Sequence, residues 1–431
     1  MTPEMKGFLL VSIVKMLVVF TVILVGVAML TLLERKVSAW MQNRYGPNRV
    51  GYGGLLQPAA DGLKNILKEE TFPAAANRTL FLLAPALAFT PALLLSAVIP
   101  FAAPWRMDFD FTLPLLGRFV HHGLMPMVVA DVPIGFLFVL AISSMGIYGI
   151  ALAGWASNSK YALLGGLRAS AQMVSYEVAM GMALIPVLLL SGNVSFSQII
   201  AEQQRSLWFV LPLFLSFFVY LISGFAETNR VPFDLPEAES ELVAGYHSEY
   251  SAMKFSMFFI AEYANVVTIS MMVTTLFFGG WDIPGLRGWL AGGSGLAVLV
   301  SFLKFFAFTF FWIFFVMWIR WTLPRFRYDQ LMALGWKFLM PLALAYIMIV
   351  CVAIYVLQNV LGIADPRVRA LALFGLNVIL AGIVFWVLDR GTIVSGADTR
   401  HERLAASRRA LEALATEPSS TVRPGRAPVT G

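Results

Sequence analysis

A polar stretch at residues 227–254 lies between two long apolar segments and concentrates carboxylates in a chain with few charges. Only two basic residues, Arg230 and Lys254, accompany its six acids. The six acids are Glu227, Asp234, Glu237, Glu239, Glu241 and Glu249. If the middle of the stretch is helical, Glu237 and Glu241 lie one turn apart, where each tends to keep its neighbour protonated. Coupled acids of this kind can hold and release protons as a set. The alternative is a solvated acidic loop that docks a basic partner.

Two further glutamates lie within apolar segments. Glu177 is near the middle of the fourth apolar segment, in AQMVSYEVAMG. Glu262 is about 10 Å into the sixth apolar segment, in FFIAEYANVV. A charge near the bilayer centre costs about 2.5–3.5 kcal/mol, so each acid needs a partner, a neutral form or a water cavity. With Glu34 and Asp61, they predict a line of carboxylates from the acidic stretch into the membrane. The alternative is that each acid only bonds a neighbouring helix.

The composition indicates a helical membrane protein whose redox centres, if any, belong to other chains. Mean hydropathy is +0.76 over 431 residues, which excludes an ordinary soluble domain. The single cysteine, Cys351, excludes a disulfide framework and an iron–sulfur ligand set. None of the four histidines falls within a long apolar segment, which argues against a haem-carrying cytochrome. The net charge of +6 is scattered through connections between spans, so nucleic acid is not an expected partner.

The hydropathy pattern predicts an all-α polytopic protein with about nine transmembrane helices in a bundle over residues 1–390. Each segment is long enough to cross a hydrocarbon layer of about 30 Å. The predicted spans are residues 8–33, 80–101, 126–153, 162–190, 207–226, 255–279, 297–321, 336–358 and 371–388. Basic residues crowd the first and seventh connections, so the positive-inside rule places the N-terminus outside and the acidic fifth connection in the cytoplasm. Residues 391–431 are predicted to be a cytoplasmic tail that is partly disordered.

The first connection carries an amphipathic pattern. In LLQPAADGLKNILKEE, apolar residues recur on one helical face and polar residues, including Asp61, on the other. Such a helix between membrane spans is predicted to lie in the membrane interface. An ordinary surface helix is the alternative.

Several motifs together resemble those of the H subunit of bacterial NADH:quinone oxidoreductase, which is respiratory complex I. This family is the counterpart of the first mitochondrially encoded complex I subunit. The resemblance runs in order from about residue 34 to 341. It is carried by ERKVSAWMQNRYGPNRVG, LLQPAADGLK, AQMVSYE, AETNRVPFDLPEAESELVAGYHSEY, FFIAEYANVV and RWTLPRFRYDQLMALGWK. The ninth span and the tail extend beyond the family's commoner eight-helix pattern, and we assign them accessory packing.

The resemblance implies a role that the residue pattern alone does not reveal. It implies a subunit of a proton-pumping translocase in the bacterial inner membrane that forms much of a quinone cavity, with ubiquinone or menaquinone as substrate. NADH, FMN and iron–sulfur clusters would be bound only by partner subunits of the hydrophilic arm, and other membrane subunits would adjoin this one. The cavity and rim positions are Glu34, Arg35, Arg44, Asp61, Arg230 and Arg320. The proton-coupling positions are Glu177, Glu227, Glu237, Glu239, Glu241, Glu249 and Glu262.

Two other functions share parts of this pattern. The related membrane component of an energy-converting hydrogenase would have the carboxylates without a quinone, but the first-connection motif and RFRYDQ favour the quinone branch. A stand-alone cation/proton antiporter is the second alternative. The lack of a recognisable internal repeat and the large acidic connection argue against it.

Overall fold

Helices dominate the computed structural model, which describes residues 2–113, 117–234 and 245–389. The chain divides into two compact units, residues 1–378 and residues 379–431. The first unit is a helical bundle, and the described residues of the second, 379–389, are helical. Helices α1 to α13 are Pro3–Met41, Gln57–Leu67, Arg78–Leu94, Gly135–Ala156, Lys160–Ser191, Phe196–Arg205, Phe214–Glu227, Ala252–Phe277, Arg287–Ala291, Gly295–Thr322, Tyr328–Ala333, Met340–Tyr355 and Pro366–Asp389.

The prediction of an all-α polytopic membrane protein is confirmed. Within the described ranges, eight helical segments are long and apolar enough to cross a membrane. They are α1, α3 with the 3₁₀ turn Leu95–Val98, α4, α5, α8, α10, α11 with α12, and α13. The short apolar helix α7 overlaps the predicted span 207–226 and ends one residue beyond it. A π-helical segment, Leu334–Leu339, joins α11 to α12.

Two predicted spans begin too early. Residues 126–134 belong to a strand and turns, and α4 starts only at Gly135, two residues after Pro133. Residues 207–213 form turns, and α7 starts shortly after Pro212. Apolar residues in strands and turns raise hydropathy as much as those in helices. The proline near each helix start also disfavours the helical conformation of the residue before it, because the proline ring clashes with that residue.

Four short strands, which the sequence analysis did not predict, occupy one end of the bundle, here called the hairpin end. They are β1 Ala102–Arg106, β2 Phe109–Leu113, β3 Gly117–His121 and β4 Leu124–Met127. Strands β1 and β4 pair antiparallel with an irregular register, and β2 and β3 form an antiparallel hairpin. Strand β3 lies against α1, where a Cβ at Gly7 would overlap the Val120 carbonyl. Lys15 of α1 donates to the carbonyls of Pro126 and Val128 at 3.0 and 2.8 Å, which satisfies an ammonium within a membrane helix.

Small residues bring the central helices into close contact. On α4, a Cβ at Gly149 would lie 2.6 Å from the Ala88 nitrogen and 3.0 Å from the Ala84 oxygen of α3. A Cβ at Gly154 would lie 2.6 Å from the Ala162 oxygen of α5. In lipid, van der Waals packing of this kind takes the place of the hydrophobic effect between helices.

The amphipathic helix of the first connection forms as α2, and its apolar side chains point away from the rest of the chain. Leu63, Ile66 and Leu67 are 57%, 62% and 77% exposed. This exposure fits the predicted position in the membrane interface, where lipid would cover the apolar face.

The close approach of α3 and α4 predicts different outcomes for two glycines one turn apart. Gly149→Ala should lower the stability of the protein by about 1–3 kcal/mol, because the added methyl group overlaps α3. Gly146→Ala is the matched control, because nothing lies within 4 Å of its Cβ position. It should be neutral or stabilise α4 by up to about 1 kcal/mol. Thermal unfolding of the purified protein in detergent compares the two; equal midpoints would contradict this packing.

Candidate functional site

Five side chains meet in a buried group at the end of the bundle opposite the strands. This group, the ion-pair cluster, consists of Glu34, Arg230, Glu262, Tyr263 and Arg320. Arg230 Nη1 lies 3.2 Å from Glu34 Oε2, and Tyr263 Oη donates to the same oxygen at 2.6 Å. Arg320 also pairs with Glu34, and Arg230 Nε contacts Glu262. The Arg230 guanidinium lies over the Tyr263 ring, 4.0 Å from its centroid.

Three helices and one connection supply this cluster. Glu34 is in the last part of α1, Glu262 and Tyr263 are in α8, and Arg320 is in the last turn of α10. A cation in the last turn also interacts favourably with the helix dipole. Arg230 follows the end of α7, so one arginine from the connection faces acids from two helices.

The positive and negative charges of the cluster balance, and its members apart from Arg320 are buried or nearly buried. Arg230 is 4% exposed and Glu34 is 6% exposed, and two arginines face two glutamates. Burial alone would lower the pKa of Arg230, but Glu262 and Glu34 beside it raise that pKa above its usual value. Arg230 therefore stays charged. The neutral pairing explains how α1 and α8 can each bury a glutamate.

A buried amide from α5 holds the connection that carries Arg230. Gln172, fully buried, donates from Nε2 to the carbonyls of Ala226 and Phe233, both at 2.9 Å, and contacts Asn229 Oδ1 at 3.3 Å. Asn229 has a positive φ of 51°, a conformation that asparagine tolerates better than most residues. The turn from 226 to 233 is thereby fixed at both ends.

An aromatic cavity of about 460 Å³ adjoins the cluster and shares Arg320 with it. The aromatic cavity is lined by Val231, Asp234, Tyr246, His247, Phe255, Phe258, Phe259, Arg320, Trp321 and Arg325. Arg325 Nη2 lies 3.0 Å from Asp234 Oδ2. Burial raises the pKa of Asp234 above its ordinary value, although Arg325 and Arg320 oppose that rise. Flat rings and fixed guanidinium donors suit a planar ligand that has acceptor oxygens.

A second group of buried acids lies along α5 and α7. Glu227, at the end of α7, is 9% exposed, and its Oε2 has no hydrogen-bond partner within the described part of the chain. It lies within electrostatic range of half-buried Glu177 in α5 and of Tyr220. Ser143 of α4 lies close enough to Glu177 to interact with its carboxyl group. A buried carboxyl that has an unpartnered oxygen and interacts electrostatically with a second acid can share or pass a proton.

The remaining predicted rim residues make separate contacts. Arg35 Nη1 lies 2.6 Å from Asp61 Oδ2 and so ties α2 to α1, and Gln57 donates to Asp61 Oδ1 at 3.0 Å. Glu34 and Arg35 are adjacent in sequence but pair with different residues, Glu34 with Arg230 and Arg320, and Arg35 with Asp61. Arg44 donates to Gln42 at 2.7 Å, and Glu249 is half-buried in a turn before α8. Glu237, Glu239 and Glu241 lie outside the described residues.

Sequence reasoning did not single out the tyrosine of the cluster, the amide that holds its connection, or the aromatic wall of the cavity. Tyr263 follows Glu262 directly, and Trp321 follows Arg320, so aromatic neighbours of buried charges were an available signal. The described residues contain no group of three or more histidine, cysteine or acidic side chains placed to hold a metal ion.

The buried cluster and the exposed rim pair predict unequal costs for two arginine substitutions. Arg230→Met leaves Glu34 and Glu262 short of a buried counter-charge and should cost about 3–5 kcal/mol of stability. Arg35→Met is the control, because the Arg35 side chain is 48% exposed and its pair is worth at most about 1 kcal/mol. Thermal unfolding and the amount of protein in membranes report the difference. Similar losses in both variants would contradict the assigned burial.

Comparisons with known proteins identify the family. A family profile described as NADH dehydrogenase matches residues 14–351. The NADH-quinone oxidoreductase H subunit 2 of Koribacter versatilis is 52% identical over 349 residues, covering 79% of this chain and 96% of the relative. The H subunit of the same enzyme from Magnetococcus marinus is 47% identical, covering 80% and 92%. NADH-ubiquinone oxidoreductase chain 1 of Chondrus crispus is 50% identical, covering 80% and 96%. The resemblance found in the motifs is confirmed, and the chain belongs to the family of NADH-quinone oxidoreductase H subunits.

Proposed function

We propose that this membrane subunit forms part of the quinone site of an NADH:quinone oxidoreductase and couples quinone reduction to proton translocation. The observation that carries the proposal is the aromatic cavity, which shares Arg320 with a buried, charge-balanced cluster. The family membership supports quinone as the substrate class, either ubiquinone or menaquinone. NADH, FMN and the iron–sulfur clusters belong to partner subunits in this proposal, and the site residues of this chain supply no redox centre.

The cavity suits the head group of a quinone. Its ring would pack against Phe255, Phe259 and Trp321, and its carbonyl oxygens would accept hydrogen bonds from Arg320 or Arg325. Two electrons from a partner subunit and two protons convert the quinone to the quinol. Negative charge develops on the carbonyl oxygens before protons arrive, and a guanidinium beside them stabilises that charge.

The shared arginine supplies the coupling step. When Arg320 turns toward the reduced quinone, its pairing with Glu34 weakens, and Arg230 rebalances between Glu34 and Glu262. Arg230 and Glu227 lie on the same short turn, so this change reaches the acid pair of Glu227 and Glu177. Protons then move through these acids. Glu237, Glu239, Glu241 and Glu249 of the same connection join this relay in the proposal.

The proposed membrane and the orientation of the protein in it rest on the distribution of basic residues along the chain and on the family to which the chain belongs. We place the protein in the bacterial inner membrane, with the N-terminus outside and the acidic connection and the tail in the cytoplasm, where the hydrophilic arm would dock. Arg35, Arg44 and Asp61 form the cytoplasmic rim. The bundle over residues 1–390 adjoins other membrane subunits, and residues 391–431 form an accessory tail.

The names of the relatives and the effect of a quinone-site inhibitor distinguish the proposed function from its two alternatives. The relatives compared above are named quinone oxidoreductase subunits, which favours the quinone branch over an energy-converting hydrogenase or a stand-alone antiporter. A quinone-site inhibitor should stop electron transfer from NADH through the assembled complex. An active single-chain transporter would instead support the antiporter.

The aromatic wall predicts a change in quinone affinity when one ring is removed. Phe259→Ala should raise KM for a short-chain quinone roughly three- to tenfold, because one aromatic contact contributes about 0.5–1.5 kcal/mol. Phe218→Ala on α7 is the control, because this 41% exposed ring does not line the cavity. Steady-state quinone reduction by the purified complex measures both variants, and an unchanged KM for Phe259→Ala would place the quinone elsewhere.

The acid relay predicts loss of coupling without loss of assembly. Glu177→Gln and Glu241→Gln each remove a titratable proton while keeping similar size and polarity, so the complex should assemble. Quinone reduction, or the number of protons pumped per NADH, should fall in both. Membrane vesicles provide the measurement through quinone-dependent NADH oxidation and acidification. Full coupled turnover in both variants would contradict the relay.

A further inference from the structure

The ninth span, α13, contributes a fully buried amide to the interior of the bundle. In the part of α13 that belongs to the first compact unit, Ala370, Leu373 and Asn377 are buried at successive helical turns. Leu371 and Val378, on the other face, are 59% and 56% exposed. One stripe of α13 therefore faces the other helices of the unit. The family profile ends at residue 351, before α13 begins, so the family match assigns this amide no role.

Asn377 holds the segment in which α7 starts. Its Nδ2 donates to the Pro212 carbonyl at 2.6 Å and to the Leu373 carbonyl of its own helix at 3.0 Å. Its Oδ1 accepts a long hydrogen bond of 3.5 Å from the Leu215 nitrogen, in the first turn of α7. Tyr346 of α12, which is 2% exposed, donates to the same oxygen at 2.8 Å and so orients the amide. Both N–H groups and the oxygen of the amide are engaged.

The start of α7 needs a partner of this kind because it lies inside the membrane. The 14 residues of α7 span about 21 Å, which is short of a hydrocarbon core of about 30 Å. Since α7 ends three residues before Arg230, at the end of the bundle that holds the ion-pair cluster, its start cannot reach the opposite surface. Leu213 at the N-cap position has no polar side chain and is fully buried. The first N–H groups of a helix have no partner within the helix, and a buried start cannot take one from bulk water.

The start of α7 also affects the position of the acid at its end. Most residues of α7 are buried, so close packing lets the helix move only together with its neighbours. Its last residue is Glu227, whose Oε2 has no hydrogen-bond partner within the described part of the chain. Because no hydrogen bond fixes that oxygen, the place of the helix largely determines how far it lies from Glu177. Proton transfer requires hydrogen-bond distance, or a water between the two groups.

We propose that the ninth span is a positioning element for proton coupling: Asn377, oriented by Tyr346, holds the start of α7 and thereby sets the place of Glu227 at its end. The role of Glu227 in this proposal rests on the proposed function, whereas the hold on α7 concerns the fold alone. Asn377 and Tyr346 lie outside the aromatic cavity and the ion-pair cluster, so both are positioning residues.

Hydrogen–deuterium exchange in the intact complex tests the hold on α7. In Asn377→Leu, the amides of residues 214–217 should exchange roughly three- to tenfold faster, because the interhelical hydrogen bonds to the start of α7 are lost. Asn359→Leu is the matched control, because it makes the same change at an exposed position and should leave this exchange unchanged. Asn377→Asp should retain the original rate, because a buried neutral acid of the same shape still donates and accepts. Unchanged exchange in Asn377→Leu would overturn the proposal.

Proton pumping by the same complexes in membrane vesicles tests the coupling role. The number of protons pumped per electron should fall about twofold in Asn377→Leu and less in Tyr346→Phe, while KM for a short-chain quinone stays unchanged. Asn377→Asp should restore the ratio. A merely structural defect would lower the amount of assembled complex and leave the ratio unchanged.

Faster exchange in Asn377→Leu with an unchanged ratio of protons to electrons would overturn the coupling role. Failure of the proposed function gives a different result, which is full coupled turnover in Glu177→Gln. That result would remove the relay and leave the hold on α7, which the exchange measurement tests by itself.

Discussion

The buried pairing of Arg230 and Arg320 with Glu34 and Glu262 is the constraint on which the functional end of the bundle depends. Removing charges from water is costly unless each is paired and hydrogen-bonded, so none of these side chains can move alone. Through them the last part of α1, the middle of α8, the last turn of α10 and the connection after α7 share one electrostatic balance. Gln172 adds a second constraint, because it fixes the backbone on both sides of Arg230.

Such a balance is stable and yet sensitive to a new charge. The aromatic cavity lies where one member of the cluster, Arg320, is 29% exposed, while Arg230 is nearly inaccessible. A ligand that becomes negative in the cavity competes with Glu34 for Arg320, and the low dielectric strengthens that competition. The charge balance that stabilises the cluster therefore also makes its ion pairs respond to reduction of a ligand in the adjacent cavity.

The sequence predicted the helical membrane class, and it found most of the charged residues that meet in the site. Glu177 and Glu262 stood out because charges in apolar segments are rare, whereas Glu34 follows directly after the first predicted span and drew attention only together with the other acids. Their partners could not be read from spacing, because Arg230 and Glu34 are 196 residues apart and meet only through the packing of α1, α7 and α8. The sequence predicted one line of carboxylates, but in the structure Glu262 and Glu177 belong to two groups. Glu262 pairs with Arg230, whereas Glu177 interacts electrostatically with Glu227. Three of the four strands lie in the connection between the predicted spans 80–101 and 126–153, which a search for long apolar segments passes over, and only β4 reaches into a predicted span.

The central claim is that the quinone head group binds in the aromatic cavity next to the ion-pair cluster. A structure of the assembled complex with a bound quinone or quinone-site inhibitor tests it most directly. The account predicts a ring between Phe255, Phe259 and Trp321, with an acceptor oxygen within hydrogen-bond distance of Arg320 or Arg325. A ring bound away from these residues, with the cluster unchanged between oxidised and reduced states, would contradict it.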